Sequence, residues 1–187
     1  MSASILSQAD LKALIAQRRL DLAIKLRFFR HLHQGGDPDS ERLYRWHILT
    51  RTGGRERRSW KASLDDYVEA SGALVANMGR SGFDINQPVT ICRMGRLKDG
   101  AHRIAAALLF SAPIYWMQDN VIGRARAWDE IYLKQKGIDP CDLSRIVSDY
   151  ARLENEISNS CDARSDDASD ELGRGNGHRS KASRMAG

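Results

Sequence analysis

The residues best suited to chemistry are the six from Lys98 to Arg103, which read Lys-Asp-Gly-Ala-His-Arg. Residues 104–110 are all apolar, and their Ala- and Leu-rich composition with no polar side predicts a buried helix. The polar run then lies at the amino end of that helix, where free backbone N–H groups and the positive end of the helix dipole attract anions. The pattern therefore predicts a phosphate-binding corner.

Individual members of the run have separate roles in such a corner. Gly100 lets the backbone approach a ligand closely. His102 and Arg103 add hydrogen-bond donors, and the Arg guanidinium matches phosphate geometry. Asp99 repels a phosphate directly but can hold a Mg²⁺ ion that binds one. The alternative is a tight turn with a solvated Asp and Arg and a structural His, because helix N-termini favour polar residues in any case.

Composition limits what kind of protein this is. The 187 residues are 42% hydrophobic, which predicts one domain, or one domain plus a tail, with a real core. No secretory signal is evident, and no apolar stretch approaches the roughly 20 residues that span a membrane. The three cysteines, Cys92, Cys141 and Cys161, form no CxxC, which fits a reducing compartment and argues against a disulfide framework or a zinc site. We therefore expect a cytoplasmic protein.

The positive charge is concentrated in the amino-terminal third. The formal net charge is +5, and residues 1–61 alone hold 13 Lys and Arg against 6 Asp and Glu. Such an excess favours an anionic partner: a nucleotide, a phosphorylated sugar, nucleic acid or an acidic membrane surface. Lys25, Arg27 and Arg30 suggest a basic helix face that binds nucleic acid, an anionic membrane surface or a glycan-assembly enzyme. The alternative is a solvated basic face without a partner.

Helices are predicted before the run, and strands on either side of it. Apolar spacing predicts one or two helices over 8–32 and another from about Ser40 to a glycine pair at 53–54. Ser63 and Asp66 have the spacing of a capping box for a third helix, which closes at 81–82. The remaining predictions are strands over 89–94, 96–98 and 114–117 and helices over 100–110, 127–135 and 141–157. From about residue 158 the chain has too few apolar residues to offset its ordering entropy, which predicts a disordered tail.

The order strand, glycine turn, short strand, Asp-Gly-x-His-Arg, apolar helix, strand resembles the ParB/sulfiredoxin-like superfamily. The close match spans 82–107, and a looser match extends back to Tyr44-Arg45-Trp46-His47-Ile48 and Glu56. This longer pattern is similar to the ParB-like proteins found with bacterial surface-polysaccharide genes. The resemblance implies an α+β fold with a small mixed sheet and flanking helices. The domain would cover 37–157, with a helical N-terminal extension at 1–36 and a disordered tail at 158–187.

The superfamily's chemistry depends on nucleotides. It includes chromosome-partitioning proteins that bind CTP and DNA, sulfiredoxins that use ATP to repair an oxidised cysteine, and small-molecule kinases such as free serine kinases. The resemblance implies that ATP, ADP or CTP binds here with Mg²⁺ held by Asp99. The residues expected to contact the nucleotide are Lys98, Gly100, Ala101, His102 and Arg103.

Departures from the superfamily's patterns favour a kinase. Sulfiredoxin chemistry needs a cysteine just before the His-Arg pair, where this chain has Ala101, so the nucleophilic thiol is missing. Partitioning proteins carry a helix-turn-helix module after this domain, and residues 118–157 leave little room for one. The kinase hypothesis passes both tests.

A kinase needs a phosphate cradle, a metal and a base that orients the attacking hydroxyl. Glu56 is the candidate for the base, and Asp99 and His102 are the other candidate catalytic residues. The alternative is that Glu56 only offsets the neighbouring arginines, whose charges keep its carboxylate ionised. His47 and Arg51, one helical turn apart, and Asp119, at a strand end, are candidates for binding the acceptor.

The leading hypothesis is a cytoplasmic, Mg²⁺-dependent kinase that phosphorylates a hydroxyl of a small molecule or sugar in surface-polysaccharide synthesis. The alternative is a nucleotide-binding regulatory module that uses CTP or ATP, docks on a protein partner or nucleic acid, and transfers no phosphate. Nucleic acid is the less favoured partner, because the chain lacks a recognisable DNA-binding module.

Overall fold

Helices and strands alternate around the Lys98–Arg103 run as the sequence predicts, and they form a mixed α+β structure. The computed structural model describes residues 3–55, 60–119 and 128–170, with side chains as far as 159. Within these ranges it has seven helices and four strands. They are, in chain order, β1 (Ser4–Ile5), α1 (Gln8–Ile15), α2 (Leu20–Gln34), α3 (Asp39–Thr52), α4 (Leu64–Ser81), β2 (Val89–Cys92), β3 (Leu97–Asp99), α5 (Ala101–Leu109), β4 (Tyr115–Asp119), α6 (Glu130–Gln135) and α7 (Pro140–Asp170).

The four strands form one mixed sheet in the order β1-β4-β2-β3. β2 and β3 pair antiparallel through a turn in which Gly95 adopts a φ of 71°. β2 and β4 are parallel, with Val89 opposite Trp116, and α5 lies in the connection between β3 and β4. The three predicted strands are confirmed, and the two-residue β1, which pairs antiparallel with β4, was not predicted.

α2 is the central helix of the structure. Leu20, Leu22, Ile24, Phe28 and Phe29 on it are all buried, and it packs against α3, α4, α5 and α7. The resemblance describes the segment 1–36 as an extension of the domain. In the structure this segment contributes α2, the helix that packs against α5. The predicted 8–32 helical region is two helices, α1 and α2, separated at residues 16–19.

The three cations of the basic face predicted on this segment are buried or ion-paired in the structure. Lys25 is fully buried, with an exposed fraction of 0%. Arg27 is paired with Asp37 and Asp149, and Arg30 with Glu156. The helix packs against four others, so the three cations serve contacts within the protein. Lys25 therefore lies outside any exposed face of this helix, and docking on a membrane or a glycan-assembly enzyme stays a prediction.

Helix ends follow the predicted signals. Gly53 ends α3 in the left-handed conformation. Ser63 and Asp66 form the complete capping box at the start of α4, and Gly82 follows that helix. α5 spans the predicted buried helix, with Ile104, Ala105, Ala106 and Ala107 all buried.

The carboxyl-terminal helix is longer than predicted. The helix expected over 141–157 is α7, which continues to Asp170 and so enters the segment predicted to be a disordered tail. No Gly or Pro lies between 141 and 170 to stop it, and adding a residue to an existing helix gains a hydrogen bond without a new nucleus. The helix expected over 127–135 is α6, and residue 127 lies outside the described residues. No helix among the described residues has the length and apolar character needed to cross a membrane.

Candidate active site

A cleft of about 830 Å³ opens at the amino end of α5. Its walls come from α3, α4, the β2–β3 hairpin and the segment that begins α2. Among the described residues, six cationic side chains line it, namely Arg19, Arg51, Lys61, Arg96, Lys98 and Arg103. The carboxylates in this lining are Asp21 and Asp99. The cleft therefore carries an excess of positive charge.

The first turn of α5 offers backbone donors to this cleft. Gly100 is the N-cap residue, and no side chain caps the helix. The first helical N–H that bonds back along the chain is that of Ile104, which donates to the Gly100 carbonyl at 2.9 Å. The N–H groups of Ala101, His102 and Arg103 precede that bond, so this turn has the donors that anion sites use.

Gly100 is required by packing at this turn. Its φ is 98°, and a Cβ placed on it would lie 2.7 Å from Val89 Cγ1 and 3.0 Å from Val89 Cα. On the sequence alone, the glycine at position 100 is explained by the close approach of a ligand. The structure gives a second explanation, because Val89 of β2 occupies the space that a Cβ would need. The glycine allows α5 to begin directly against the sheet.

Arg103 forms an ion pair with Asp99 and donates hydrogen bonds to the loop before β2. Arg103 Nη2 donates to Asp99 Oδ2 at 2.7 Å, and Nη1 donates to the carbonyls of Gln87 and Pro88 at 2.5 and 2.9 Å. Lys98 is ion-paired with Asp119 at the end of β4. Two of the residues expected to contact phosphate, Lys98 and Arg103, are therefore ion-paired with carboxylates of the protein.

His102 lies inside a hydrogen-bonded group at the cleft wall. Its Nε2 is 3.0 Å from the hydroxyl of Tyr44, which is 2.8 Å from Ser71 Oγ. Burial, followed by the charges of Lys25 and Arg51, lowers the pKa of His102 well below its ordinary value. Burial also raises the pKa of Tyr44 to about 12. Both side chains are therefore uncharged at neutral pH and can exchange hydrogen bonds without carrying charge.

A buried charged cluster lies beside this group. Arg19 Nε and Nη2 donate to the two carboxylate oxygens of Asp21 at 2.7 and 2.8 Å, and Lys25 Nζ donates to Asp21 Oδ2 at 2.8 Å. Lys25 Nζ is also 3.0 Å from His47 Nε2. Burial by itself raises the pKa of Asp21, but the charges of Lys25 and Arg19 outweigh it and hold that pKa well below its ordinary value.

The structure separates the predicted site residues into groups. Residues 98–103 and Arg51 line the cleft, as expected. His47 is fully buried against Trp128, at 4.5 Å between ring centroids, and does not line the cleft. Asp119 is not among the described residues that line the cleft, but it is ion-paired with the cleft residue Lys98. Glu56, the predicted base, lies outside the described residues.

Several residues of the cleft were not predicted. Arg19 and Asp21 come from the start of α2, and Lys61, Tyr67 and Ser71 from the segment that leads into and forms α4. No local motif marks Arg19 or Asp21, since they enter the site only because α2 packs beneath α5. Tyr44 lies within the looser family match, and this match was the signal by which its place in the site could have been predicted.

The residues at the amino end of α5 are compatible with a Mg²⁺ ion that a carboxylate and a phosphate would hold together. Among the described residues, no group of three or more His, Cys, Asp or Glu side chains is arranged to hold a metal. Mg²⁺ commonly uses one or two carboxylates, with substrate phosphates and waters completing its shell. Asp99, whose side chain is 67% exposed beside the first turn of α5, can supply such a carboxylate.

Comparisons with protein-family models, curated proteins and solved structures gave no significant match to this chain.

Proposed function

We propose that the protein is a ParB/sulfiredoxin-like nucleotide-dependent kinase that binds ATP, ADP or CTP with its phosphates at the amino end of α5. The observation that carries this proposal is the convergence of uncapped helix N–H groups and, among the described residues, six cationic side chains on one cleft. A helix N-terminus and convergent Lys and Arg side chains are complementary to phosphate oxygens. The α+β arrangement, with α5 between β3 and β4, supports the superfamily assignment.

The ion pairs at the cleft indicate how the site accepts its ligand. Lys98 and Arg103 are held by Asp119 and Asp99, so an incoming phosphate competes with a carboxylate for each cation. Asp99 would hold Mg²⁺, whose charge would neutralise this carboxylate and so remove one competitor for Arg103. Nucleotide binding by this site should therefore depend on Mg²⁺.

Phosphoryl transfer further needs a base for the acceptor hydroxyl, and Glu56 remains the proposed residue. Arg51 lines the cleft one turn after His47 on α3, so it is placed to hold an anionic part of the acceptor. The proposed acceptor is a small molecule or sugar hydroxyl, with surface-polysaccharide synthesis as the setting. The proposed location is the cytoplasm.

One observation favours a second function, a nucleotide-binding regulatory module without phosphoryl transfer. Both carboxylates in the described lining, Asp21 and Asp99, are already bonded to arginines, so neither is well placed to accept a proton from a hydroxyl. Glu56→Gln distinguishes the two functions once an acceptor is known. A kinase loses turnover and keeps nucleotide affinity, whereas a regulatory module is little changed in either respect.

Nucleotide affinity tests the shared basis of both functions. The experiment measures thermal midpoints with ATP, ADP, CTP and GTP, each with and without Mg²⁺, since a ligand of the folded state raises the midpoint. Lys98→Gln should remove the Mg²⁺-dependent shift. Lys12→Gln is the matched control: Lys12 is exposed on α1, does not line the cleft, and should keep the shift.

Either of two results would contradict the proposal. The first is that no nucleotide raises the thermal midpoint of the folded wild type. The second is that the midpoint shift in Lys98→Gln is as large as in the wild type. Asp99→Asn adds a separate check, because it should reduce the Mg²⁺-dependent part of the shift and spare the part that needs no metal.

A further inference from the structure

We propose that Arg19 is a direct phosphate-binding residue, oriented by a buried Arg19–Asp21–Lys25 cluster, and that the charge of this cluster makes the site prefer a diphosphate or triphosphate to a single phosphate. This inference rests on the proposed phosphate site and adds to it a binding residue, two positioning residues and a physical reason for preferring more than one phosphate. Nothing in the local sequence around Arg19 indicates such a role.

The side chain of Arg19 is held next to the predicted motif. Besides its two bonds to Asp21, Arg19 Nη1 donates to the carbonyl of Leu97 at 3.1 Å. Leu97 begins β3, and Asp99 ends it. The backbone N–H of Arg19 donates to the hydroxyl of Tyr150 on α7 at 2.9 Å. Both ends of the residue are therefore fixed, and the guanidinium lies against the strand that leads into α5.

Arg19 has donors left for a ligand. A guanidinium carries five N–H groups. Among the described residues, Asp21 and the Leu97 carbonyl take three of them, which leaves one on each Nη. The side chain is 12% exposed and lines the cleft. A pre-oriented guanidinium with two remaining donors matches the oxygens of a phosphate group.

The cluster carries a surplus of positive charge. Among the described residues, Arg19 and Lys25 are both ion-paired with one carboxylate, that of Asp21, and Lys25 is fully buried. His47 Nε2 lies within hydrogen-bond distance of the Lys25 ammonium, which can only donate, so His47 is the acceptor and is neutral. A buried charge that lacks a counter-ion is costly. An anion in the cleft offsets that cost, and a ligand with more negative charge offsets more of it.

The titration of Lys25 agrees with this charge surplus. Burial lowers the pKa of Lys25 to about 8, against the raising effect of Asp21. The other groups that face it are Arg19 from the start of α2, His47 and Arg51 from α3, and His102 from α5. A polyphosphate in the cleft favours the protonated amine and raises this pKa. Binding then takes up a proton near pH 8, and the affinity falls as the pH rises through that value.

The test uses inorganic pyrophosphate and inorganic phosphate as probes, so that no nucleobase is involved. Calorimetry on the full chain at pH 7 should show pyrophosphate binding at least about ten-fold tighter than phosphate, and Arg19→Gln should weaken pyrophosphate binding by about ten-fold. Arg18→Gln is the matched control. Arg18 is 61% exposed, pairs with Glu130 and does not line the cleft, so its affinity should stay within about two-fold of wild type.

Lys25→Met tests the positioning role through the pH profile. Between pH 7 and 9.5 the wild type should lose pyrophosphate affinity relative to Lys25→Met, whose curve lacks the titration of this amine. Parallel curves would overturn the role of Lys25. If Arg19→Gln does not fold, Arg19→Lys tests the role of Arg19 in pyrophosphate binding instead. It keeps the charge without the fork, so it should weaken binding of both probes and keep the preference for pyrophosphate over phosphate. Wild-type affinity for both probes in this variant would overturn the role of Arg19.

The outcomes separate this inference from the proposed function. Wild-type pyrophosphate affinity in Arg19→Gln, together with weakened affinity in Lys98→Gln, would overturn the role of Arg19 and leave the phosphate site standing. A folded wild type that binds neither pyrophosphate nor any nucleotide would overturn both.

Discussion

Gly100 is fixed by packing as well as by its place in the motif. The motif suggested that a glycine is needed for a ligand, yet the structure shows that β2 already occupies the position of a Cβ at this residue. A single sequence cannot distinguish these two explanations, because both require the same residue. Stability measurements can distinguish them.

Gly100→Ala should lower the free energy of unfolding by about 3 kcal/mol, from the left-handed backbone and the clash with Val89 together. Gly95→Ala is the control, because Gly95 has a similar φ of 71° but a Cβ placed on it would meet no described atom within 4 Å. It should cost only about 1–2 kcal/mol. Urea unfolding measures both. Equal losses in the two variants would show that the contact with Val89 is unimportant.

The buried polar residues were the hardest part of the site to predict. Lys25 was assigned to an exposed basic face, since Lys is almost never fully buried unless it is paired. Its partners, Asp21 and His47, are four residues away on α2 and on a different helix, α3. The first is visible as an i,i+4 pair, but the second depends on how α2 and α3 pack. The sequence therefore predicted the motif at 98–103 but did not predict the Arg19–Asp21–Lys25 cluster beside it.

Protonation of His47 should destabilise the protein in mild acid. Burial, followed by the charge of Lys25, lowers the pKa of His47 well below its ordinary value, so it stays neutral when folded and becomes protonated when unfolded. Stability is therefore fully present above about pH 6.5 and is lost as the pH falls below it, by up to about 1.4 kcal/mol per pH unit for this residue. His102 contributes in the same direction.

Unfolding free energies between pH 7 and pH 5 measure this effect. His47→Gln should show a shallower dependence than the wild type over this range. Asp21 does not interfere, because its lowered pKa affects stability only near or below the ordinary carboxyl value of 3.8. A variant slope equal to that of the wild type would contradict the assignment of a neutral His47.

Among the elements, those with strong local signals were predicted correctly. The apolar run gave α5, the capping box gave α4, and the β-branched segment after Pro88 gave β2. β1 is two residues long and depends on pairing with β4, so no local pattern marks it. The separation of α1 from α2 at residues 16–19 involves neither Gly nor Pro, and Arg18 adopts a φ of 54° there. Tertiary contacts decide these features.

The capping box at the start of α4 should stabilise a wall of the cleft. Ser63 Oγ accepts from the N–H of Asp66 at 3.2 Å, and the Asp66 carboxylate accepts from the N–H of Ser63 at 2.8 Å. Ser63→Ala should lower the free energy of unfolding by about 1 kcal/mol. Ser63→Asn, which keeps a capping oxygen, should restore most of this loss. No loss in Ser63→Ala would show that packing alone holds the start of α4.

At the scale of the whole molecule, α2 connects the buried cluster, α5 and the proposed phosphate site. It supports α5, and Arg19 and Asp21 at its start line the cleft that α5 opens on to. The net positive charge of the amino-terminal third is thus partly used inside the protein. The sequence correctly predicted an excess of positive charge there but assigned it to an exposed surface, because composition carries no information on burial.

The most direct test of the proposed phosphate site is a titration of the ¹⁵N-labelled full chain with Mg²⁺ and ATP, followed by backbone amide NMR. Phosphates at the amino end of α5 should shift the amide signals of Ala101, His102 and Arg103 saturably and more than those of α7. Inorganic tripolyphosphate should reproduce these shifts. Saturable binding that moves other amides and leaves these three unchanged would place the nucleotide elsewhere and contradict the proposed site.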